Sequence, residues 1–383
     1  MQIFYFGVGS LNNADSSVDG GKYIRLPLMQ EMLLAGHTVK WIGFHRQNYA
    51  FNPWLKLVGL YPNNWLIDVK TPNGVLDNSA DIIDDNVVIT SDKSKLDAFE
   101  ASLTKDSILF VELRPNEDKP GYNFKNEWDV QTYLIELFHS RGLPVFVWDQ
   151  DVWAENIPAE LRNKMTLLTS YYKPVEGFND QQVFLYGWSR FPFDKALRHM
   201  ARSFPKKFDV TYCGNVYGRK EEFLEFFAPF NHRFYDVCIQ GNWLRKKYDD
   251  RDFSLDNFPN FMFMGSTPHW TTLPSIAMSK SVLQFSNPAQ QRVGLPTARI
   301  FETLMGYGTV FCSDKIQYVD RVVPEEMIYT NAQDLIDKWD KIDIADEWPK
   351  MAALLQDKLR TQEFSYATRV KQLEQFTQER IKA

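Results

Sequence analysis

The chain is poor in cysteine. Cys213, Cys238 and Cys312 are odd in number, far apart and set in apolar surroundings. That rules out a disulfide framework and a thiolate zinc site, and predicts buried, reduced thiols. The six histidines (His37, His45, His139, His199, His232 and His269) show no metal-ligand spacing. A Walker phosphate loop and a serine nucleophile elbow are both missing, which excludes the chemistries built on them. No apolar run approaches a membrane span. The opening Met1 to Gly9 has neither a basic leader nor a small-residue cleavage site, so it reads as a first buried strand and the expected compartment is the cytoplasm. Positive charge is not in excess either. The formal net charge of −6 argues against bulk nucleic-acid binding while leaving room for a local patch.

What the chain does have is an ordinary globular composition, 44% hydrophobic and 24% charged. Aromatic residues make up 15%, enough to offer stacking surfaces for sugars or bases beyond the needs of a core. At 383 residues it exceeds what one hydrophobic core serves, so two domains are expected.

Strand and helix signals alternate. Ile3 to Val8 is a short apolar run, followed by a polar loop ending in Asp19-Gly20-Gly21. A helical pattern then carries Leu26, Met29, Leu33 and Leu34, closes at Gly36, and leads into a strand from Val39 to Phe44. Strand, glycine loop, helix and strand make a βαβ unit and imply a parallel sheet. Further strands are predicted at Val87 to Thr90, Ile108 to Leu113, Pro144 to Trp148, Met165 to Leu168 and Val183 to Tyr186, with a helix from about Glu127 to His139. Past a basic stretch from Arg190 to Lys207 the alternation restarts. Strands are predicted at Val210 to Cys213, Val237 to Gly241, Phe261 to Met264, Val282 to Phe285 and Val310 to Cys312, with a helix over Lys220 to Phe230. The last segment, Trp348 to Ala383, has the amphipathic period of a core-docking helix pair. The expected division is 1–195 and 206–350 as two α/β domains facing a cleft, with 351–383 as C-terminal helices. In open α/β sheets such a cleft is the default ligand site.

Four constellations carry chemistry. Arg299 and Glu302 stand three residues apart on one face of a predicted helix before a Gly-Tyr-Gly break, so both reach one ligand. An acid for ribose hydroxyls, a base for phosphate and a helix start that attracts anions describe a nucleotide-sugar pocket. Gly214 and the Arg219-Lys220 pair open the second strand-loop-helix unit, where cations at a helix start oppose the dipole unless an anion sits there. The alternative there is surface charge paired with Glu221 and Glu222. Asp149-Gln150-Asp151 follows a strand. At least one carboxylate is expected to face the cleft as a base or sugar contact without metal; the alternatives are a divalent-cation pair or a helix cap. Gly20 and Gly21 let backbone approach a phosphate or acceptor, with Asp19 beside them.

Phe208-Asp-Val-Thr-Tyr-Cys-Gly-Asn215, Gly265 after its strand, and Thr297-Ala-Arg-Ile-Phe-Glu-Thr-Leu-Met-Gly-Tyr-Gly308 together resemble the C-terminal domain of GT-B glycosyltransferases, nearest to the CgeB-like, group 1 type. The resemblance covers about 208–340, and residues 1–45 more loosely through the Gly-Gly loop, its helix and Ala35-Gly36-His37-Thr38-Val39. It implies a GT-B fold, two Rossmann-like domains with C-terminal helices packing back across them. It also implies that Glu302 holds the donor ribose and Arg299 the diphosphate region. Gly294 stands where many retaining members have a second glutamate, which leaves the stereochemistry open.

The expected activity is transfer of a sugar from a nucleotide-diphosphate donor, a UDP-sugar, to an acceptor hydroxyl, with no cofactor and no metal. Donor contacts fall to Gly20, Gly21, Gly214, Arg219, Lys220, Arg299 and Glu302, and acceptor chemistry to Asp149, Asp151 or Asp19. The acceptor is either a glycan or a hydroxymethylated DNA base of the kind phage enzymes modify. In the second case Lys195, Arg198, Arg202 and Lys206 would offer one helix face to DNA phosphates, and Trp41, Trp54, Trp65, Trp148 and Trp153 a stacking surface for a flipped base. The alternatives are a nucleotide-sugar epimerase of the same fold and a two-lobed binding protein without catalysis.

Overall fold

The structure, a computed structural model, describes residues 1–7, 22–42, 70–71, 74–75, 82–83, 93–114, 124–188, 194–216, 218–230, 236–241, 243, 258–265 and 272–382. The strands are β1 (Gln2–Phe6), β2 (Thr38–Ile42), β3 (Lys70–Thr71), β4 (Gly74–Val75), β5 (Ile82–Ile83), β6 (Ser107–Glu112), β7 (Val145–Asp149), β8 (Thr166–Thr169), β9 (Gln181–Val183), β10 (Phe208–Cys213), β11 (Val237–Gln240), β12 (Phe261–Gly265), β13 (Ser279–Gln284), β14 (Val310–Ser313) and β15 (Ile328–Tyr329). The helices are α1 (Lys22–Leu34), α2 (Lys93–Ala101), α3 (Phe124–Ser140), α4 (Ala159–Arg162), α5 (Asp194–Ser203), α6 (Lys220–Phe230), α7 (Thr272–Ala277), α8 (Pro288–Val293), α9 (Ala298–Met305), α10 (Ala332–Ile344), α11 (Trp348–Leu359) and α12 (Tyr366–Lys382).

Two parallel sheets result. The first runs β5-β2-β1-β6-β7-β8-β9 and the second β12-β11-β10-β13-β14-β15, with β3 and β4 as a separate antiparallel hairpin. Strands buried on both faces read as continuous apolar runs. β6 (Ser-Ile-Leu-Phe-Val-Glu) and β7 (Val-Phe-Val-Trp-Asp) are buried along their whole length. Each sheet reverses its strand order once, between β1 and β6 and between β10 and β13. Such switch points open a crevice beyond the strands' carboxyl ends.

Most predicted elements are found within a residue or two. The predicted Val183 to Tyr186 strand instead ends at Val183, because residues 184–187 leave the sheet to meet the C-terminal segment. Leu34, expected in the core, is half-exposed at the end of α1. The predicted strand at Val87 to Thr90 lies outside the described residues. Among the unforeseen elements are α2, α4, α7 and α8, the short strands β3 to β5, the edge strand β15, and α10, whose Asn331 side chain caps it by accepting the Asp334 N–H.

The chain crosses between the sheets twice, and the crossings hold each other. Trp188 N–H donates to Phe364 O at 2.9 Å, and Tyr366 N–H donates to Trp188 O at 3.0 Å. α12 then returns to pack on α1, tied by Arg369 to Leu185 O, Arg380 to Asp180 and Glu374 to His37.

At the first switch point Arg25, Glu112 and Tyr5 form a buried network. Arg25 is 1% exposed and Glu112 3%. Arg25 donates from Nε and Nη2 to the two Glu112 oxygens at 2.8 and 2.6 Å, and the Tyr5 hydroxyl adds a third bond at 2.8 Å. Burial, then the Glu112 charge, pushes the Tyr5 hydroxyl well above its ordinary value, so it stays a donor. Removing one partner strands the other charge in the interior. Arg25→Met should therefore cost roughly 3–5 kcal/mol in urea unfolding, and a loss below about 1 kcal/mol would show that water reaches Glu112.

Candidate active site

The second switch point is built from glycine ends. Gly214 N–H donates to Gln240 O at 2.9 Å, and Gly241 N–H donates to Gly265 O at 2.7 Å, so the ends of β10, β11 and β12 close into one rim. Gly241 has φ +129°, and a Cβ there would meet Gly214 O at 2.0 Å. Only glycine fits that approach. The Trp243 indole N–H donates to Gly214 O at 2.8 Å and fixes the rim from below. Cys213 closes β10; burial pushes its thiol up to about 12, so it is an inert wall.

α9 starts beside this rim. Its N-cap residue Thr297 makes no side-chain cap bond; Ile300 N–H donates to Thr297 O at 3.1 Å, which leaves the N–H groups of Ala298 and Arg299 without an intrahelical acceptor. Arg299 is ion-paired with Glu302 one turn on, and Glu302 is buried. Burial disfavours the Arg299 charge, but the Glu302 carboxylate beside it outweighs that and holds the guanidinium above its ordinary value. The Thr297 hydroxyl and Arg299 Nε are buried with no hydrogen-bond partner among the described residues. An open helix start, a half-buried cation with an unused donor among the described residues and a buried carboxylate thus share one spot. This is the chemistry of an anion with hydroxyls attached. The loop before α9 turns back at Gly294, with φ +69°, where a Cβ would meet Gln317 O at 2.5 Å.

Arg219 staples the loops that follow β10 and β13. It donates to Phe285 O at 3.2 Å, Asn215 O at 3.3 Å and Gln290 Oε1 at 3.3 Å. Lys220 is half-buried next to it, at the start of α6. Glu222, in the first turn of α6, accepts the Ser286 N–H at 3.0 Å, while its other oxygen has no partner among the described residues. Burial pushes this carboxyl up to about 7. An acid raised in the fold contributes stability that is complete below its unfolded value near 4.5 and lost as pH climbs through about 7. Glu222→Gln should therefore gain stability relative to the parent as pH rises across that window. Urea unfolding between about pH 5 and about pH 8 reads this, and parallel curves would mean that Glu222 stays charged.

On the other side of the seam lies the turn after β7. Asp149 is 0% exposed, and its carboxylate accepts four bonds: the N–H groups of Asp151 (3.1 Å), Trp153 (3.0 Å) and Ala154 (2.8 Å), and the Tyr171 hydroxyl (2.7 Å). Four donors fill a carboxylate's acceptor sites. Asp149, expected as an acceptor-side acid or base, has its carboxylate engaged in bracing this turn, close to the helix-cap alternative. Asp151 is exposed at the same strand end. Asp19, Gly20 and Gly21 lie outside the described residues, as do Trp54, Trp65, His269 and the side chains of Trp41 and Lys195. Trp148 is fully buried, so it is core rather than a stacking surface; Trp153 is half-buried.

The basic segment is placed differently from its expectation. α5 ends at Ser203, and Lys206 lies beyond it with its ammonium on Ala277 O at 2.8 Å. Lys207 N–H bonds Met278 O just before β10 begins. This part of the segment therefore lies at the amino ends of β10 and β13, opposite the crevice. Arg198 and Arg202 are exposed there, Arg198 over the Tyr307 ring. Among the described residues no three His, Cys, Asp or Glu side chains converge on a point, and no helix is long and apolar enough to cross a membrane.

Two doubly wound sheets with crevices at facing strand ends, joined by a returning C-terminal helix, are the GT-B fold. Solved structures with this fold align over nearly the whole chain. The T4 phage β-glucosyltransferase in complex with UDP and Mn2+ matches at a TM-score of 0.59 and 13% identity, over 98% of this chain and 99% of that one. HepE from Anabaena in complex with UDP and glucose matches at 0.58 and 11%, over 98% and 99%. A sucrose-phosphate synthase from Thermosynechococcus elongatus matches at 0.57 and 11%, over 99% of each. No family model and no curated protein sequence matches the chain.

Proposed function

We propose that this protein is a glycosyltransferase that moves a sugar from a UDP-sugar to an acceptor hydroxyl. The observation that carries the reading is the Arg299–Glu302 pair at the open start of α9, set in the switch-point crevice of a GT-B fold. UDP in the T4 and Anabaena structures supports the choice of nucleotide.

In this reading Glu302 accepts hydrogen bonds from the ribose hydroxyls once the donor displaces Arg299 from it. Arg299, Arg219, Lys220 and the α9 dipole then face the diphosphate. Charge building on the departing UDP is the part of the reaction that such fixed donors stabilise. Asp151 takes the proton of the acceptor hydroxyl as it attacks the anomeric carbon, and the bond from that carbon to the diphosphate oxygen breaks. Asp19, Gly20 and Gly21 remain assigned to the acceptor and phosphate side of the first loop. The T4 structure contains Mn2+; here Asp149 is fully engaged by its own turn, so the Asp149-Gln150-Asp151 motif makes no ligand pair. The reading is therefore metal-independent transfer.

The acceptor is read as a hydroxymethylated DNA base, with a glycan as the competing class. Support comes from the T4 fold neighbour, described as a DNA modifying enzyme. The basic stretch from Arg190 to Lys207 supports it less, since its described part lies opposite the crevice.

The test is incubation of the purified protein with UDP-glucose and either a 5-hydroxymethylcytosine duplex or an oligosaccharide, following UDP release and product mass. A product heavier by one sugar supports the reading. A sugar isomer without UDP release points to an epimerase, and UDP binding without any turnover to a binding protein. Glu302→Ala should weaken UDP binding roughly 10- to 100-fold while unfolding stays cooperative; unchanged affinity removes Glu302 from the pocket. Asp151→Asn should slow transfer by roughly 10²- to 10⁴-fold with UDP affinity intact. Full activity in the variant would dismiss Asp151 as the base. Loss of activity on chelation, restored by Mn2+, would overturn the metal-independent reading.

A further inference from the structure

The turn that carries Asp151 is under strain and is tied to the opposite sheet. Val152 has φ +64°, in the left-handed region that a β-branched residue avoids. Strain of this kind persists only where surrounding contacts over-determine it. Here the Asp149 carboxylate gathers the N–H groups on both sides of Val152. One further bond leaves the turn. The Tyr186 hydroxyl donates to Gln150 O, the carbonyl directly before Asp151, at 3.0 Å.

Tyr186 is buried, and it belongs to the segment that leaves the first sheet. Its ring packs on Trp148 at 5.7 Å and edge-to-face on Phe301 at 6.4 Å. Phe301 lies in α9 between Arg299 and Glu302, and is itself buried. The Trp148 indole N–H donates to Ser170 Oγ at 2.8 Å. Burial first, and the nearby Asp151 charge second, push the phenol far above its ordinary value, so it remains a donor. A continuous packed path thus runs from the acceptor-side carboxylate through one tyrosine to the helix of the donor site.

We propose that Tyr186 is a positioning residue that fixes the distance between Asp151 and the donor held by α9. The proposal rests on the transferase reading and deepens it. Transfer needs the base, the acceptor oxygen and the anomeric carbon in one geometry, and an error of about 1 Å costs up to about 100-fold in rate. Tyr186→Phe keeps the ring on Phe301 and Trp148 but releases Gln150 O, so the strained turn can relax.

The experiment compares the parent, Tyr186→Phe, Asp151→Asn and the double variant, using UDP-glucose with the acceptor class that the transfer test above identifies. Tyr186→Phe should lower kcat by about 10- to 100-fold while KM for UDP-glucose and calorimetric UDP affinity stay within about twofold. In the Asp151→Asn background the same change should add less than about twofold, because Tyr186 acts through Asp151. A purely structural role would give multiplying effects in the double variant and weaker UDP binding, and either result overturns the proposal. So does an unchanged kcat in Tyr186→Phe when the parent is active. A parent that transfers to neither acceptor class defeats the transferase reading itself, and the proposal with it.

Discussion

The backbone pairing of Trp188 with Phe364 and Tyr366 is the constraint on which the rest of the molecule depends. The buried apolar core runs continuously through both sheets, and a cleft exists only if their strand ends are held face to face. Two reciprocal hydrogen bonds at the double crossing set that orientation. Gly187 is required there, because a Cβ would stand 3.0 Å from both Phe364 O and Tyr366 N. Rings continue the contact, with Phe301 packed between Tyr186 and Phe364. α12 then anchors the crossing to the first sheet through Arg369 and Arg380. The seam is therefore a packed hinge rather than a loose linker, and what crosses it transmits geometry.

The two switch points share one topology but differ in electrostatics. In the first, Arg25 meets Glu112 through two bonds and Tyr5 completes the carboxylate, so the crevice is closed by its own side chains. In the second, Arg299 pairs with Glu302, and among the described residues its Nε and the Thr297 hydroxyl have no partner, beside a helix start without a side-chain cap. A satisfied buried pair gives rigidity; an incompletely satisfied one leaves donors for a ligand. That contrast is what favours the second crevice over the first as the place of the proposed nucleotide site.

The parallel strands were legible because buried strands read as apolar runs, as in Ile108 to Leu113 and Pro144 to Trp148. Helix α10 was not, since its start rests on the single Asn331 cap and its apolar positions are interleaved with acids and lysines. The proximity of Arg299 and Glu302 was legible because they sit one helical turn apart, and local spacing is what a sequence displays. Asp149 and Asp151 looked equivalent, since two residues of the same type at i and i+2 carry no mark of which one is buried. Tyr171, packed beneath the turn, decides it by donating to Asp149 Oδ2. The basic stretch misled for a related reason: helical spacing shows which cations share a face, not which end of a sheet that face adjoins.

By itself, then, the sequence determined the alternating α/β order, the buried free state of the three cysteines, and the acid–base pair on α9. All of these are local, carried by residue type and by periods of two to four residues. The tertiary structure alone decided that Asp149 braces while Asp151 is exposed, that the basic helix lies away from the crevice, and that Tyr186 links the two halves. Those outcomes depend on contacts such as Tyr186 with Phe301 and Trp188 with Phe364, between residues more than a hundred positions apart in the chain. No local pattern encodes such contacts, because they are fixed only when the two sheets are packed against each other.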